Sequence, residues 1–192
     1  MLLSKSRFNI LAAIAMTTCT LTLTMPAAAQ NGPGFGTPVT VQPLNADEVK
    51  WLEFMREEEK LAFDVYTALY QKWNLVAFKN IAASEDAHFN AIGTLLKRYG
   101  VADPAQKTAG VYSDPALNNL YNQLMSKGMT SAQDALEVGI LIEKQDIADL
   151  ESALKATAKF DIKRVFSNLM NASYNHLDAF ETVCTLTTAS AN

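Results

Sequence analysis

From Asn45 onward, apolar residues recur at alternating three- and four-residue steps, the spacing that lines them along one face of an α-helix. No stretch shows the period-two alternation between turn residues that marks a strand. The pattern predicts an all-α protein with four long helices and one short one. The first helix opens at a capping box, Asn45 followed three residues on by Glu48, and runs to about Lys72. The second runs from about Val76 to Tyr99 and stops at Gly100. A crossover from Val101 to Met129 carries Pro104, Gly110 and Pro115, with a short helix from Pro115 to about Lys127 closed by Gly128. The third long helix begins at Thr130 or Ser131 and reaches about Ala156. The fourth starts with Asp161 as its N-cap and ends near Cys184. Tight turns make the first two long helices antiparallel neighbours, and likewise the last two, so the expected fold is an antiparallel four-helix bundle with a long crossover carrying one extra short helix.

Each long helix must bury one apolar stripe against the other three. The first presents Leu52, Met55, Glu59, Ala62, Tyr66, Leu69 and Trp73, and the second Phe78, Ile81, Glu85, His88, Ile92, Leu95 and Tyr99. The third gives Leu136, Ile140, Glu143, Asp146 or Ile147, Leu150 and Leu154. The fourth gives Val165, Leu169, Ala172 or Ser173, His176, Phe180 and Val183. Every stripe is interrupted near its middle by a carboxylate or an imidazole. An ionised carboxylate there costs several kcal/mol unless it is paired or coordinated, so the interruptions need a common cause. Their heights agree. Glu59 and the Glu85–His88 turn are equidistant from the break at Trp73-Asn74, and Glu143 and His176 are equidistant from the break before Asp161.

Carboxylates and imidazoles converging in an apolar core are suitable ligands for Fe, Mn or Zn, and a cation neutralises acids that would otherwise repel one another. Glu85 and His88, at an i, i+3 spacing, share one helix face. The bland alternative is a hydrogen-bonded pair of Glu85 with His88 and a lone seam histidine at His176. The neighbours Glu57 and Glu58 read as a solvated face pairing with Arg56 and Lys60, with one of them facing inward as the alternative, and Tyr66 as a core residue or a support for a ligand.

The N-terminal segment is basic at Lys5 and Arg7, apolar from Phe8 to about Leu23, and small at Ala27 and Ala29. This describes a cleavable export signal, cut after Ala29, and places the mature protein in the periplasm or outside the cell. The expected organisation is a signal at 1–29, a Gly/Pro-rich flexible leader at 30–44, the bundle at 45–186 and a tail at 187–192. The 192-residue chain has 16 basic against 20 acidic residues and no basic run, which removes the electrostatic basis for binding nucleic acid or an anionic membrane. The mature chain keeps 14 basic against 20 acidic residues and one cysteine, Cys184. That thiol is either a small packing residue or a free group available for homodimerisation. Only two histidines occur in the chain, His88 and His176, and both fall on inward seams.

Over about Asn45 to Val183 the sequence resembles the ferritin-like superfamily, in which two helices each give a Glu and two each give Glu-x-x-His to a di-iron or di-manganese centre. Glu59 with Tyr66 seven residues on looks like the first-helix pattern of ferritins and rubrerythrins. Ser84-Glu85-Asp86-Ala87-His88 looks like the second, and Ile142-Glu143-Lys144-Gln145-Asp146 like the third. The strings Met55-Arg-Glu-Glu-Glu-Lys-Leu-Ala62, Asn80-Ile-Ala-Ala-Ser-Glu85 and Asn175-His176-Leu177 look like a bacterial ferritin-like domain family without assigned function.

The resemblance implies two iron ions, with manganese or zinc as substitutes, held by Glu59, Glu85, His88, Glu143, Asp146 and His176. It departs at Ser173, where a fourth carboxylate would stand; Asp146, one turn after Glu143, is the residue that would replace it. The implied activity is oxidation of ferrous iron or reduction of peroxide or O2. No cysteine pairs of a rubredoxin-type module are present, so electrons would come from an external donor. The rival expectations are a zinc or copper site without turnover, and a purely structural helical module.

Overall fold

A computed structural model describes residues 42–190, with side-chain surroundings as far as Leu186. The expected signal, most of the expected leader and the side chains of the expected tail lie outside the described residues. The described residues form five helices and no strand: α1 (Ala46–Trp73), α2 (Val76–Tyr99), α3 (Pro115–Gly128), α4 (Ala132–Ala156) and α5 (Phe160–Ser190). The capping box at the start of α1 closes, with Glu48 N–H donating to Asn45 and Asn45 N–H to Glu48, both at 2.9 Å. Left-handed backbone at Asn74 and Gly100 ends α1 and α2. Ser131 caps α4 by accepting from Asp134 N–H.

Two ends differ from expectation. Asp161 is not the N-cap of the last helix but lies within its first turn, because its carboxylate is taken by α2: Arg98 Nη1 and Tyr99 O–H donate to it at 2.8 Å each. And α5 continues past Cys184 to Ser190. Cys184 is half-buried against the core with Gln133 Nε2 2.9 Å from its sulfur, in keeping with a packing role.

Helix α1 packs on α2 and α4, and α5 packs on the same two, so the long helices run around the bundle in the order α1, α2, α5, α4. The core falls into two apolar clusters. One holds Leu61, Val65 and Leu69 of α1 with Phe78, Leu136 and Phe180. The other holds Leu52 and Met55 of α1 with Ile92, Leu150, Phe166 and Leu169. From the second cluster to the first, α1 and α5 run one way and α2 and α4 the other, so every adjacent pair is antiparallel and the crossover between α2 and α4 must travel the length of the bundle. Helix α3, carried by that crossover, lies on α1 and α4. This is why α4 buries Ala135 and Val138 besides Leu136, Glu143, Asp146, Ile147 and Leu150 of its expected stripe, of which Ile140 and Leu154 are only half-buried. In α5 Ile162, Phe166, Leu169, Ser173 and Phe180 are buried, while Val165, His176 and Val183 of the expected stripe are only half-buried.

The expected solvated face of α1 does not exist. Arg56, Glu57, Glu58 and Lys60 are between 3% and 8% exposed. The crossover covers three of the four. Arg56 is clamped to the Asp103 carboxylate through Nε (3.1 Å) and Nη2 (2.7 Å), lies over the Phe89 ring and donates to the Phe89 carbonyl. Glu57 accepts from the N–H groups of Ser113 and Asp114 just ahead of α3. Lys60 donates to the Thr108 carbonyl at 3.0 Å and to Asp64 at 2.5 Å, and Asp64 also accepts from Gly110 N–H and Tyr112 O–H. Apart from the Phe89 carbonyl and the local Lys60–Asp64 pair, these partners lie in the segment between α2 and α3, which sequence-local pairing rules do not reach.

Gly139 of α4 is a point of close approach: a Cβ there would fall 2.8 Å from the Phe180 ring. Helix propensity alone favours Gly139→Ala by about 1 kcal/mol, whereas overpacking a filled core costs roughly 1–3 kcal/mol. The expected outcome is net destabilisation, read as a lower urea midpoint at unchanged m-value; a stabilised variant would show that Phe180 yields freely.

Candidate metal centre

Between the two apolar clusters lies a polar layer. The helical period that puts Met55 and Ala62 of α1 into the core puts Glu59 there between them, and the same logic delivers Glu85 and His88 on α2, Glu143 and Asp146 on α4, and Ser173 and His176 on α5. Five of the six expected ligands come together as two triads, Glu59 with Glu85 and His88, and Glu85 with Glu143 and His176. In each triad one ligand-type atom per residue lies within 4.8 Å of the others. Glu85 belongs to both. Its Oε2 is 2.8 Å from His88 Nδ1, which is 3.3 Å from Glu59 Oε2. Its Oε1 is 2.9 Å from His176 Nδ1, which is 3.6 Å from Glu143 Oε2. The two imidazoles stack with centroids 5.8 Å apart and planes 26° from parallel.

Asp146 belongs to neither triad. Its Oδ2 accepts from the hydroxyl of Ser173, the residue standing where a fourth carboxylate was expected, and its Oδ1 is buried without a hydrogen-bond partner in the protein. Tyr66 proves to be both core and support. Its ring packs against Phe78 and Phe180, and its O–H donates to Glu143 Oε1 at 2.6 Å. Ser84 Oγ lies 3.3 Å from His88 Nε2, on the side of the ring away from the carboxylates. Glu58, read from sequence as solvated, is 4% exposed and interacts with Asp146 and Asp149 of α4. The signal that could have found it is the number of neighbours α1 must have, since a helix flanked by α2, α4 and a crossover has no free face at this height.

The electrostatics follow from burial. Glu59 is pushed well above the ordinary carboxylate range by burial and by the charges of Asp146 and Glu85, and Asp146 is raised by burial and by Glu143 and Glu85 despite the Ser173 hydrogen bond. Glu58 is raised by burial and by Asp149 and Asp146. Burial pushes Glu143 up to about 7, with His176 opposing and Glu85 adding to the rise. Burial also works against the charged form of His176, but Glu143 and Glu85 outweigh it and hold the imidazole at about 9. Glu85, between two imidazoles, is held down at about 2 in spite of its burial.

These side chains fit a cation. Six buried side-chain N or O atoms find no hydrogen-bond partner among the described residues, and five of them lie in or beside this layer: Glu58 Oε2, Glu59 Oε1, Glu85 Oε1, Asp146 Oδ1 and His176 Nδ1. The contact between Glu85 Oε1 and His176 Nδ1 is short, yet it lies off the axis of N–H donation, so neither atom is satisfied by the other. Buried polar atoms are ordinarily paired, and a cluster of orphaned oxygen and imidazole atoms points to a shared positive partner.

A pH profile tests the layer. Glu58, Glu59, Asp146 and Glu143 have raised values and so bind more protons folded than unfolded. Their stabilisation is present below their ordinary values, 4.5 for the glutamates and 3.8 for Asp146, and is lost as pH rises through their folded values, about 7 for Glu143. That of His176 is complete below 6.5 and is lost through about 9. Glu85 acts oppositely, losing its contribution only as pH falls from 4.5 towards 2. In chelator the urea midpoint should therefore be highest near about pH 5 and fall steadily to about pH 9. A flat profile would contradict the crowding of carboxylates described here.

Three comparisons place the chain among known proteins. The family described as "Uncharacterized protein domain (DUF2202)" matches residues 48–189. "Uncharacterized protein MJ0754" of Methanocaldococcus jannaschii is 50% identical over 140 residues, which are 72% of this chain and 76% of that protein. The crystal structure of that hypothetical protein superposes with a TM-score of 0.76 and 46% identity over 79% of this chain and 87% of the other. A DUF305 fragment from Deinococcus radiodurans, at 14% identity and a TM-score of 0.57 over 75% of this chain and 99% of the fragment, shares the fold alone.

Proposed function

The chain belongs to the DUF2202 family, and we propose that it is an exported, ferritin-like protein that holds two transition-metal ions in its core. Iron is the leading choice and manganese or zinc the substitutes. The observation that carries this reading is the set of orphaned carboxylate and imidazole atoms in two triads that share Glu85. Glu59 and His88 would hold one ion, Glu143 and His176 the other, and Glu85, common to both triads, would serve both. Charge supports more than one ion: Glu59, Glu85, Glu143 and Asp146 carry four negative charges when ionised and Glu58 beside them a fifth, most of which two divalent cations would balance.

When bound, a pair of redox-active ions supplies two electrons, enough with two protons to convert H2O2 to two waters, provided an external donor returns those electrons. The protein's part is to hold geometry and protons. Tyr66 fixes Glu143 through Oε1 and leaves Oε2 turned to the second triad. Ser84 meets the outer nitrogen of His88, leaving Nδ1 to face the carboxylates. Ser173 holds Asp146 beside the triads, where its free Oδ1 is available as a further ligand or as a proton acceptor. Zinc suits the same oxygen and nitrogen donors and exchanges no electrons, so a zinc-holding protein without turnover is the second reading.

Purified mature protein loaded with ferrous iron, manganese or zinc and then desalted should retain two ions per chain by elemental analysis. Glu85→Ala should lose both, and His88→Ala or His176→Ala about one each, reducing affinity roughly 10–100-fold or more. A wild-type protein that retains no metal after loading sinks the proposal. Consumption of hydrogen peroxide with an artificial donor, above that of free metal, separates the redox reading from the zinc one. For export, N-terminal sequencing of protein recovered from periplasm or medium should begin at Gln30; an intact Met1 terminus in the cytoplasm would overturn that part.

A further inference from the structure

The two sides of the polar layer differ in charge and in access. Within the triads the carboxylate side chains are only 2–4% exposed, whereas those of His88 and His176 are 13% and 11% exposed, so the imidazoles form the edge of the centre nearest solvent. Contacts along the helices show which seam this is. Phe89 meets Arg56 of α1, which turns that side of α2 towards α1, while Arg98 and Tyr99 reach Asp161 and mark the side facing α5. Glu181 pairs with Lys144 and Cys184 meets Gln133, which turns that side of α5 towards α4; Asp161 marks its α2 side. By helical period, the positions facing one another across α2 and α5 at the height of the imidazoles are Ser84, Ala87 and Ala91 opposite Ala172, Asn175 and Ala179. None of the six is charged, and four are alanines that leave the rings lightly covered. The opposite seam, between α1 and α4, carries Glu58, Asp146 and Asp149.

We propose that small uncharged molecules reach the centre through the α2–α5 seam, passing the stacked rings of His88 and His176, and that cations do not use this route. The inference rests on the metal-centre reading above and adds the direction and charge class of what enters. A molecule passing the edge of the rings arrives at Glu85 Oε1, an oxygen with no hydrogen-bond partner on a residue 3% exposed. A neutral passenger gives up little hydration in crossing an alanine-lined seam, whereas a divalent ion would meet two imidazoles with no carboxylate ahead of them.

The two histidines, the only ones in the chain, make the test clean. In metal-free full-length protein labelled at histidine, dissolved O2 should enhance relaxation of both ring signals. Ala87→Trp, at an exposed position, should cut that enhancement about threefold or more, as should Ala172→Phe, while Gln145→Trp on α4 should leave it unchanged. Equal enhancement in wild type and Ala87→Trp overturns the route. In iron-loaded protein, Ala87→Lys and Ala87→Glu should consume hydrogen peroxide at rates within about twofold of each other; shifts in opposite directions overturn the uncharged class. Metal uptake by Ala87→Trp should keep the wild-type rate, and a slowed uptake would show that cations share the seam. If no metal is retained by any form, the proposed function fails, and the relaxation result still decides the route.

Discussion

The structure turns on the burial of Glu59, Glu85, Glu143 and Asp146, with Glu58 beside them, between the two apolar clusters of the bundle. Leaving such groups ionised and unpaired in a core costs more than most single interactions return, and the raised values of Glu59, Asp146 and Glu143 express that cost. The layer also divides the hydrophobic core into two clusters, so neither end of the bundle is packed independently of it. Helix register, the stacking of His88 on His176, and the reach of Tyr66 to Glu143 are arrangements around the same concentration of negative charge.

Holding that layer in place demands unusual work from α1. Arg56, Glu57, Glu58, Glu59 and Lys60 are consecutive, all charged and all buried, and a helix turns each to a different neighbour. Arg56 meets the first residues of the crossover, Glu57 the approach to α3, Glu58 the acids of α4, Glu59 the centre, and Lys60 the crossover at Thr108. Four of the five are thereby committed to partners that fix the rotation of α1 about its axis. The crossover is then more than a connection, since its ion pairs and backbone hydrogen bonds hold the helix that carries Glu59.

Much of this was legible from periodicity. The α1 stripe from Leu52 to Leu69 is buried position for position, and the two turns place Glu59 level with Glu85 and Glu143 level with His176, because antiparallel neighbours joined by a short turn must match in height. What stayed hidden is long-range. The charged run of α1 looked solvated because the crossover groups that Arg56, Glu57 and Lys60 meet lie 47 to 57 residues away, and Asp161 read as a cap although Arg98 and Tyr99 of another helix take its carboxylate. The orphaned atoms were also out of reach, since satisfaction of a buried oxygen depends on angles that spacing does not encode.

The least expected feature, the pairing of Ser173 with Asp146, has a reading in terms of charge. In the ferritin-like pattern the fourth helix would offer a carboxylate three residues before its histidine, and here Ser173 stands there. Asp146 lies on the facing helix, one turn after Glu143, and its carboxylate accepts from that serine's hydroxyl. A carboxyl group absent from α5 is thus present on α4, within hydrogen-bonding reach of Ser173. The donor types stay equal for the two triads, each with one glutamate of its own, one imidazole and a share of Glu85. What the exchange alters is symmetry. The fourth acid is tied to α5 through a neutral hydroxyl, with one oxygen committed and one free, so its engagement with the centre depends on the Ser173 hydrogen bond.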